Sequence, residues 1–252
     1  MDFFAEVVAW FGDAANWSGT DGVPSRIGEH LVLSAVPLLV AVALALPIGL
    51  YIGHTGRLAA LAINVSNVGR AIPTLAILSI AWLLLSRPLV EIGLRRDAAE
   101  ITTALAMIAL ALPPIITNAY VGLAGVDRDL VEAGRGMGMT GRQLLLRLEL
   151  PLALPVVLAG VRTAAVQVVA TATLGAVVGT GGLGRYLVDG LAQRKYEEVF
   201  AGGLLVALLA IGTELLFSWL QRRTVSPGLQ SATARALREP GQMGRGGGEV
   251  AV

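Results

Sequence analysis

Long apolar runs separated by short polar stretches dominate the chain. Residues 31–53 and 101–123 carry no charged side chain. Residues 58–85 are apolar but broken by Asn64, Ser66, Asn67, Arg70 and Pro73. Residues 152–178 hold one charge, Arg162, and residues 199–220 hold one, Glu214. A helix crosses about 30 Å of hydrocarbon in about 20 residues, so each run is long enough to span a bilayer. The pattern predicts five spans, and six if residues 58–85 fold as two shorter helices broken near Arg70 and Pro73. Continuous apolarity favours helices over a barrel, whose strands alternate and are far shorter. The expected fold class is an all-α polytopic membrane protein.

Composition agrees. Of 252 residues, 55% are hydrophobic and 15% charged, against about 25% charged in soluble domains. The mean hydropathy is +0.71. A net charge of +1 argues against a nucleic-acid binder, which carries a basic face. Cysteine is absent, which removes disulfides and thiolate chemistry. The two histidines, His30 and His54, stand outside any metal-ligand pattern, so neither a metal nor a cofactor is expected.

Residues 1–26 form an N-terminal external or interfacial segment. Their start, MDFFAEVVAWFGDAANW, has no basic leader and does not read as a cleaved signal. It reads either as a short amphipathic element on the membrane or as plain disorder. Residues 27–223 form the membrane domain. Residues 224–252, rich in Gly, Ser and Pro, are expected to be a disordered tail.

The polar stretch 127–151 carries the most specific pattern. Asp129 precedes Glu132, and Thr140 precedes Gln143, at capping-box spacing. Gly134, Gly136, Gly138 and Gly141 separate these two starts. The reading is two short helices with a tight bend, the second ended by Pro151. On spacing alone, an amphipathic linker lying on the membrane fits equally.

The same residues resemble the loop of ATP-binding-cassette (ABC) importer permeases: E-A-A, three residues, G, nine residues, I-x-L-P. Here stand Glu132, Ala133 and Gly134, then Gly138, then Leu148, Leu150 and Pro151. Gly134 replaces the third alanine and Leu148 the isoleucine. The resemblance extends over roughly residues 27–223. It is nearest to permeases for glycine betaine, carnitine and choline, through GRAIPTLAIL (69–78), residues 111–140, ELPLALPVVLAGVRTA (149–164) and LGAVVGTGGLG (174–184).

This resemblance implies a type I importer permease with the 127–151 loop in the cytoplasm, docked on an ATPase subunit. It implies a second permease chain, identical or related, two ATPase subunits, an extracellular substrate-binding protein, and residence in the bacterial cytoplasmic membrane. Basic residues then fall inside the cell by a narrow majority, the sense of the positive-inside rule. No Walker A sequence occurs and the chain has one lysine, Lys195, so ATP hydrolysis is expected in a partner chain. An amino-acid cargo such as methionine is the alternative within the class. An ion-gradient-driven transporter or channel, or a purely structural membrane subunit, is the alternative outside it.

Charge inside apolar runs is costly unless paired or wetted. Asn67, Arg70, Thr74, Asn118 and Arg162 are therefore candidates for the translocation path. For Arg70 a structural ion pair, with Glu214 as partner, is an equal reading, and Arg162 lies shallow enough to snorkel. GTGGLG at 179–184 fits G-x-G-x-x-G, but it follows an apolar span instead of a strand, so it reads as an outer turn and not a nucleotide site. The following RYLVDGLAQRKYEEV is expected to be a short external helix within reach of the binding protein. Pro37, Pro47, Pro73, Pro113 and Pro114 are expected to kink spans. Gly160, Ala164, Ala165, Gly202 and Gly203 are expected to permit close helix packing.

Overall fold

The computed structural model describes residues 3–224, except Arg96 and the side chain of Arg70. The tail expected over 224–252 lies, beyond Thr224, outside the described residues. The described chain is helical throughout. In order it forms α1 (Phe3–Gly12), α2 (Val23–Thr55), α3 (Ala59–Ala71), α4 (Thr74–Glu91) and α5 (Ala98–Ala124). There follow α6 (Arg128–Gly136), α7 (Gly141–Leu144), α8 (Leu150–Thr171), α9 (Gly184–Gln193) and α10 (Tyr196–Thr224). Helix is the form in which a span satisfies its own peptide groups where no water can. Five segments are long and apolar enough to cross a membrane: α2, α4, α5, the continuous helical run Gly141–Val178, and α10.

Residues 58–85 do break in two. Ile72 is extended (φ −78°, ψ 127°) and Pro73 follows. The proline ring excludes its predecessor from the α region, which ends α3 there. With 13 residues, α3 is only about 20 Å long, too short to cross the hydrocarbon alone. The number of full spans among the described residues is thus five.

Helix α5 is the centre of the bundle, packed between α2 and α8. Ala41, Ala45, Met107, Leu110, Ala111, Ile115, Ala164 and Val168 form the buried core of this triple contact. The approach is close because small residues face each other. A Cβ placed on Gly49 would lie 2.6 Å from the Ala119 Cβ, and one on Gly53 would lie 2.7 Å from the Leu123 Cβ. A Cβ on Gly160 would lie 2.5 Å from the Asn118 Cβ and 2.9 Å from the Pro114 carbonyl oxygen. Ala164, Ala165 and Gly202 are buried as their small size suggests, but a Cβ on Gly203 would meet nothing within 4 Å.

At the end of the bundle away from residues 127–151, α8 tightens into a 3-10 stretch, Ala172–Val178, and enters the glycine turn. Gly179 (φ 101°) and Gly182 (φ 80°) hold backbone that favours glycine. The Gly182 N–H donates to the Glu29 carboxylate at 2.7 Å, and Arg26 donates to the same oxygen at 2.8 Å. The buried imidazole of His30 meets the Val169 carbonyl at 2.9 Å, joining α2 to α8. The Tyr186 hydroxyl on α9 donates to the Asp21 carbonyl at 2.7 Å. Burial pushes that phenol above its ordinary range, so it stays a donor at physiological pH.

Gly160→Ala is expected to destabilise the bundle by about 1–3 kcal/mol, because the new methyl meets backbone that cannot turn away. Gly203→Ala is expected to be neutral or stabilising by up to about 1 kcal/mol, the helix-propensity gain alone. Thermal melting of the purified complex, followed by tryptophan fluorescence in one detergent, reads both.

Candidate functional site

The stretch 127–151 leaves the end of α5 and returns into α8. Helix α6 starts at Asp127, whose side chain accepts the Asp129 N–H at 2.9 Å. This corrects the expected cap at Asp129, which lies inside the first turn. Asp127 reaches an orphan donor from the N-cap position, and Asp129 adds negative charge where the helix dipole favours it. The far end closes as a Schellman motif. The Met139 N–H reaches the Gly134 carbonyl at 3.1 Å and the Gly138 N–H reaches the Arg135 carbonyl at 2.9 Å. The motif needs a left-handed residue, and Gly138 supplies it at φ 81°. Helix α7 starts with the expected capping box. The Gln143 N–H donates to the Thr140 hydroxyl at 3.4 Å, and the Thr140 N–H to the Gln143 side chain at 2.8 Å.

Two short helices with a bend therefore form. Gly134 is buried at their contact: a Cβ there would lie 3.0 Å from Leu144 Cδ2 and 3.3 Å from Met139 Sδ. Both are tips of flexible side chains, so alanine fits with a small shift. Glu132 and Ala133 are exposed on the other face of α6, as is Gly138 at the bend, while Leu148 and Leu150 are half-buried.

Pro151 does not end the second helix. The backbone widens into a π turn over Leu145–Glu149, with the Leu150 N–H bonded to the Leu145 carbonyl, and Pro151 opens α8 in its first turn. A helix start needs no proline N–H, and the wider turn takes the ring without breaking the run. From Gly141 to Val178 the chain is thus one continuous helical run, stiffly joining the loop to a span.

The π turn also delivers a residue that sequence reasoning passed over. The Glu149 carboxylate is buried and meets His54 Nδ1 at 2.5 Å. His54 sits in the last turn of α2, and a Cβ on Gly141 would lie 3.5 Å from its Nε2. The pair ties the end of one span to the root of another beside the loop. A polar cavity of about 380 Å³ opens here, lined among others by His54, Tyr120, Arg128, Glu132, Arg135 and Glu149. Two signals were present in sequence: a histidine at the end of an uncharged run, and a lone carboxylate within LLLRLELPLALP. Neither identifies the other as partner.

The path candidates do not gather at one point. Asn67 is exposed on α3 and Thr74 is half-buried at the start of α4; the Arg70 side chain lies outside the described residues. The Asn118 amide donates to the Pro114 carbonyl at 2.8 Å, within α5. Arg162 on α8 pairs with Glu214 on α10 at 3.4 Å, so the carboxylate considered for Arg70 is engaged by Arg162.

Comparison with known proteins places these features in a family. The model of the binding-protein-dependent transport system inner membrane component family matches residues 45–226. The chain is 37% identical to the choline transport system permease protein of Bacillus subtilis, over 79% of this chain and 84% of that protein. It is 34% identical to the carnitine transport permease protein of Listeria monocytogenes, over 88% and 91%. In fold it is similar to the methionine ABC transporter MetNI, inward-facing, with a TM-score of 0.66, 22% identity and coverage of 81% and 96%. The chain belongs to the binding-protein-dependent transport system inner membrane components, and is a membrane permease subunit of an ABC importer.

Proposed function

We propose that this permease imports quaternary ammonium osmoprotectants, the class of glycine betaine, carnitine and choline. The observation carrying the cargo is its shared sequence, over most of its length, with permeases named for choline and carnitine. The likeness to the methionine transporter is one of fold and says nothing of cargo. Quaternary ammonium groups are held by aromatic cages. Among the described residues the ring–ring contacts lie at one end of the bundle, on α1, α9 and the first turn of α10. Primary recognition therefore belongs to a separate binding protein, with a weaker polar path here.

In this reading the 127–151 loop docks on an ATPase subunit. Glu132, Ala133 and Gly138 are available on its surface, while Gly134 and Leu148 hold its two helices together; Leu150 and Pro151 lead into the span. The Gly141–Val178 run carries the loop's movement into α8, and His54–Glu149 carries it into α2. The path runs along α3 and the break before α4, past Asn67, Arg70 and Thr74, against a second permease chain. Asn118 and Arg162 shape the wall, through Pro114 and Glu214. Switching between inward and outward states requires ATP to bind those states differently.

The test is uptake of radiolabelled glycine betaine, choline or carnitine by the permease reconstituted with its ATPase and binding protein. ATP-dependent uptake competed by these cations and not by methionine is expected. Uptake that persists without the ATPase would overturn the mechanism; competition by methionine alone would overturn the cargo.

Gly138→Val is expected to abolish uptake and release the ATPase on purification, since a β-branched residue is a steric outlier at φ 81°. Gly138→Asn, which tolerates that region, is expected to retain part of both. Glu132→Lys is expected to lose ATPase co-purification with the fold intact.

His54→Ala and Glu149→Ala are each expected to lower transport per ATP hydrolysed while the complex still assembles. In a double-mutant cycle on stability the two should couple by about 0.5–3 kcal/mol. Additive effects in both readouts would show that the pair links nothing.

A further inference from the structure

We propose that α1 is an anchor inserted in the outer leaflet, its bare face covered by lipid and not by a protein partner. Three observations carry this. The first is depth. Along α10 an exposed apolar stripe runs from Phe200 through Leu204, Leu208, Ile211 and Leu215 to Trp219. At 1.5 Å per residue its aromatic ends are about 28 Å apart, close to the roughly 30 Å of a hydrocarbon core. Arg223 stacks over the Trp219 ring at 5.4 Å, as a basic residue does at a membrane boundary. Phe200 and Trp219 thus mark the two edges of the lipid face.

The second observation is continuity. The Phe3 and Phe200 rings meet edge-on at 5.6 Å, and Phe4 lies 6.5 Å from Phe200. Trp10 contacts the Tyr186 ring at 5.5 Å and packs on the cluster of Val23, Leu183, Tyr186 and Val206. Tyr186 itself packs on α10 at Gly202, where an added Cβ would lie 2.7 Å from the Tyr186 Cβ, so α1 lies along the Phe200 edge of the stripe. The third is what α1 leaves uncovered. Val7 and Trp10 turn inward, whereas Phe4 is 70% and Val8 72% exposed, one turn apart on the same face. That face extends the lipid-facing stripe of α10 sideways.

The helix carries no lysine or arginine; Glu6 is its one charged residue. Its insertion is therefore driven by apolar area, and lipid charge should not alter it.

The absence of cysteine allows single spin labels. Val8→Cys, with Phe4→Cys as the second site, is labelled in the full chain, assembled with its ATPase and reconstituted in liposomes. Collision with oxygen and with a water-soluble nickel chelate is read by power saturation. Labels at Ile211→Cys and Lys195→Cys give the lipid and aqueous references. The expected result is an oxygen-to-nickel ratio well above the Lys195 value and shifted toward the Ile211 value, the same in neutral and in anionic liposomes. A ratio at the Lys195 value overturns the proposal, as does immobilisation of the label on adding the binding protein. The readout needs no transported substrate, so its failure is separate from failure of the cargo assignment.

Discussion

Close backbone approach between α5 and its two neighbours is the constraint on which the rest of the structure depends. In lipid there is no hydrophobic force between helices, since acyl chains are as apolar as leucine. What remains is dispersion, which falls off steeply with distance. Gly49 and Gly53 on α2 let that helix sit on Ala119 and Leu123, and Gly160 on α8 receives Asn118. Pro113 and Pro114 lie inside α5 within this contact, and the Asn118 amide bonds locally to the Pro114 carbonyl. Three helices packed in this way behave as one body.

That body explains the importance of the loop's attachment. The 127–151 segment leaves α5 and returns as α8, so both its ends are rooted in the same triple contact. The Schellman bend at Gly138 and the capping box at Thr140 fix its shape, and the unbroken run from Gly141 stiffens its return. His54–Glu149 adds α2 to the same base. In the proposed mechanism a push on α6 cannot be absorbed locally and must displace the whole unit.

Much of this was legible in sequence, and the failures share a cause. The five apolar runs are legible because a span cannot hide its composition. The loop is legible because caps and bends are set by neighbours three to five residues apart. Helix α2 begins at Val23, eight residues before the uncharged run that starts at residue 31, and this added part holds Arg26, Glu29 and His30. They are satisfied by the glycine turn and by α8, far along the chain. The cap is Asp127 and not Asp129, a choice between two acids two residues apart that spacing cannot make. Pro151 has the residue type that usually ends a helix, but the π turn before it removes the conflict. His54 and Glu149 meet across 95 residues, a partnership that no local pattern encodes.

Burial divides the bundle in a way that bears on switching. Around α5 nearly every inward position is filled, but on α3 and α4 only Ser66 and Leu78 are fully buried among the described residues. Their uncovered faces are available to the second permease chain of the proposed complex. The break at Ile72–Pro73 gives these two helices separate axes. A cavity of about 370 Å³ lies between α3 and the α2–α5 surface, lined among others by Ile52, Leu61, Val65 and Pro113. The proposed path thus lies along the helices least committed to the core.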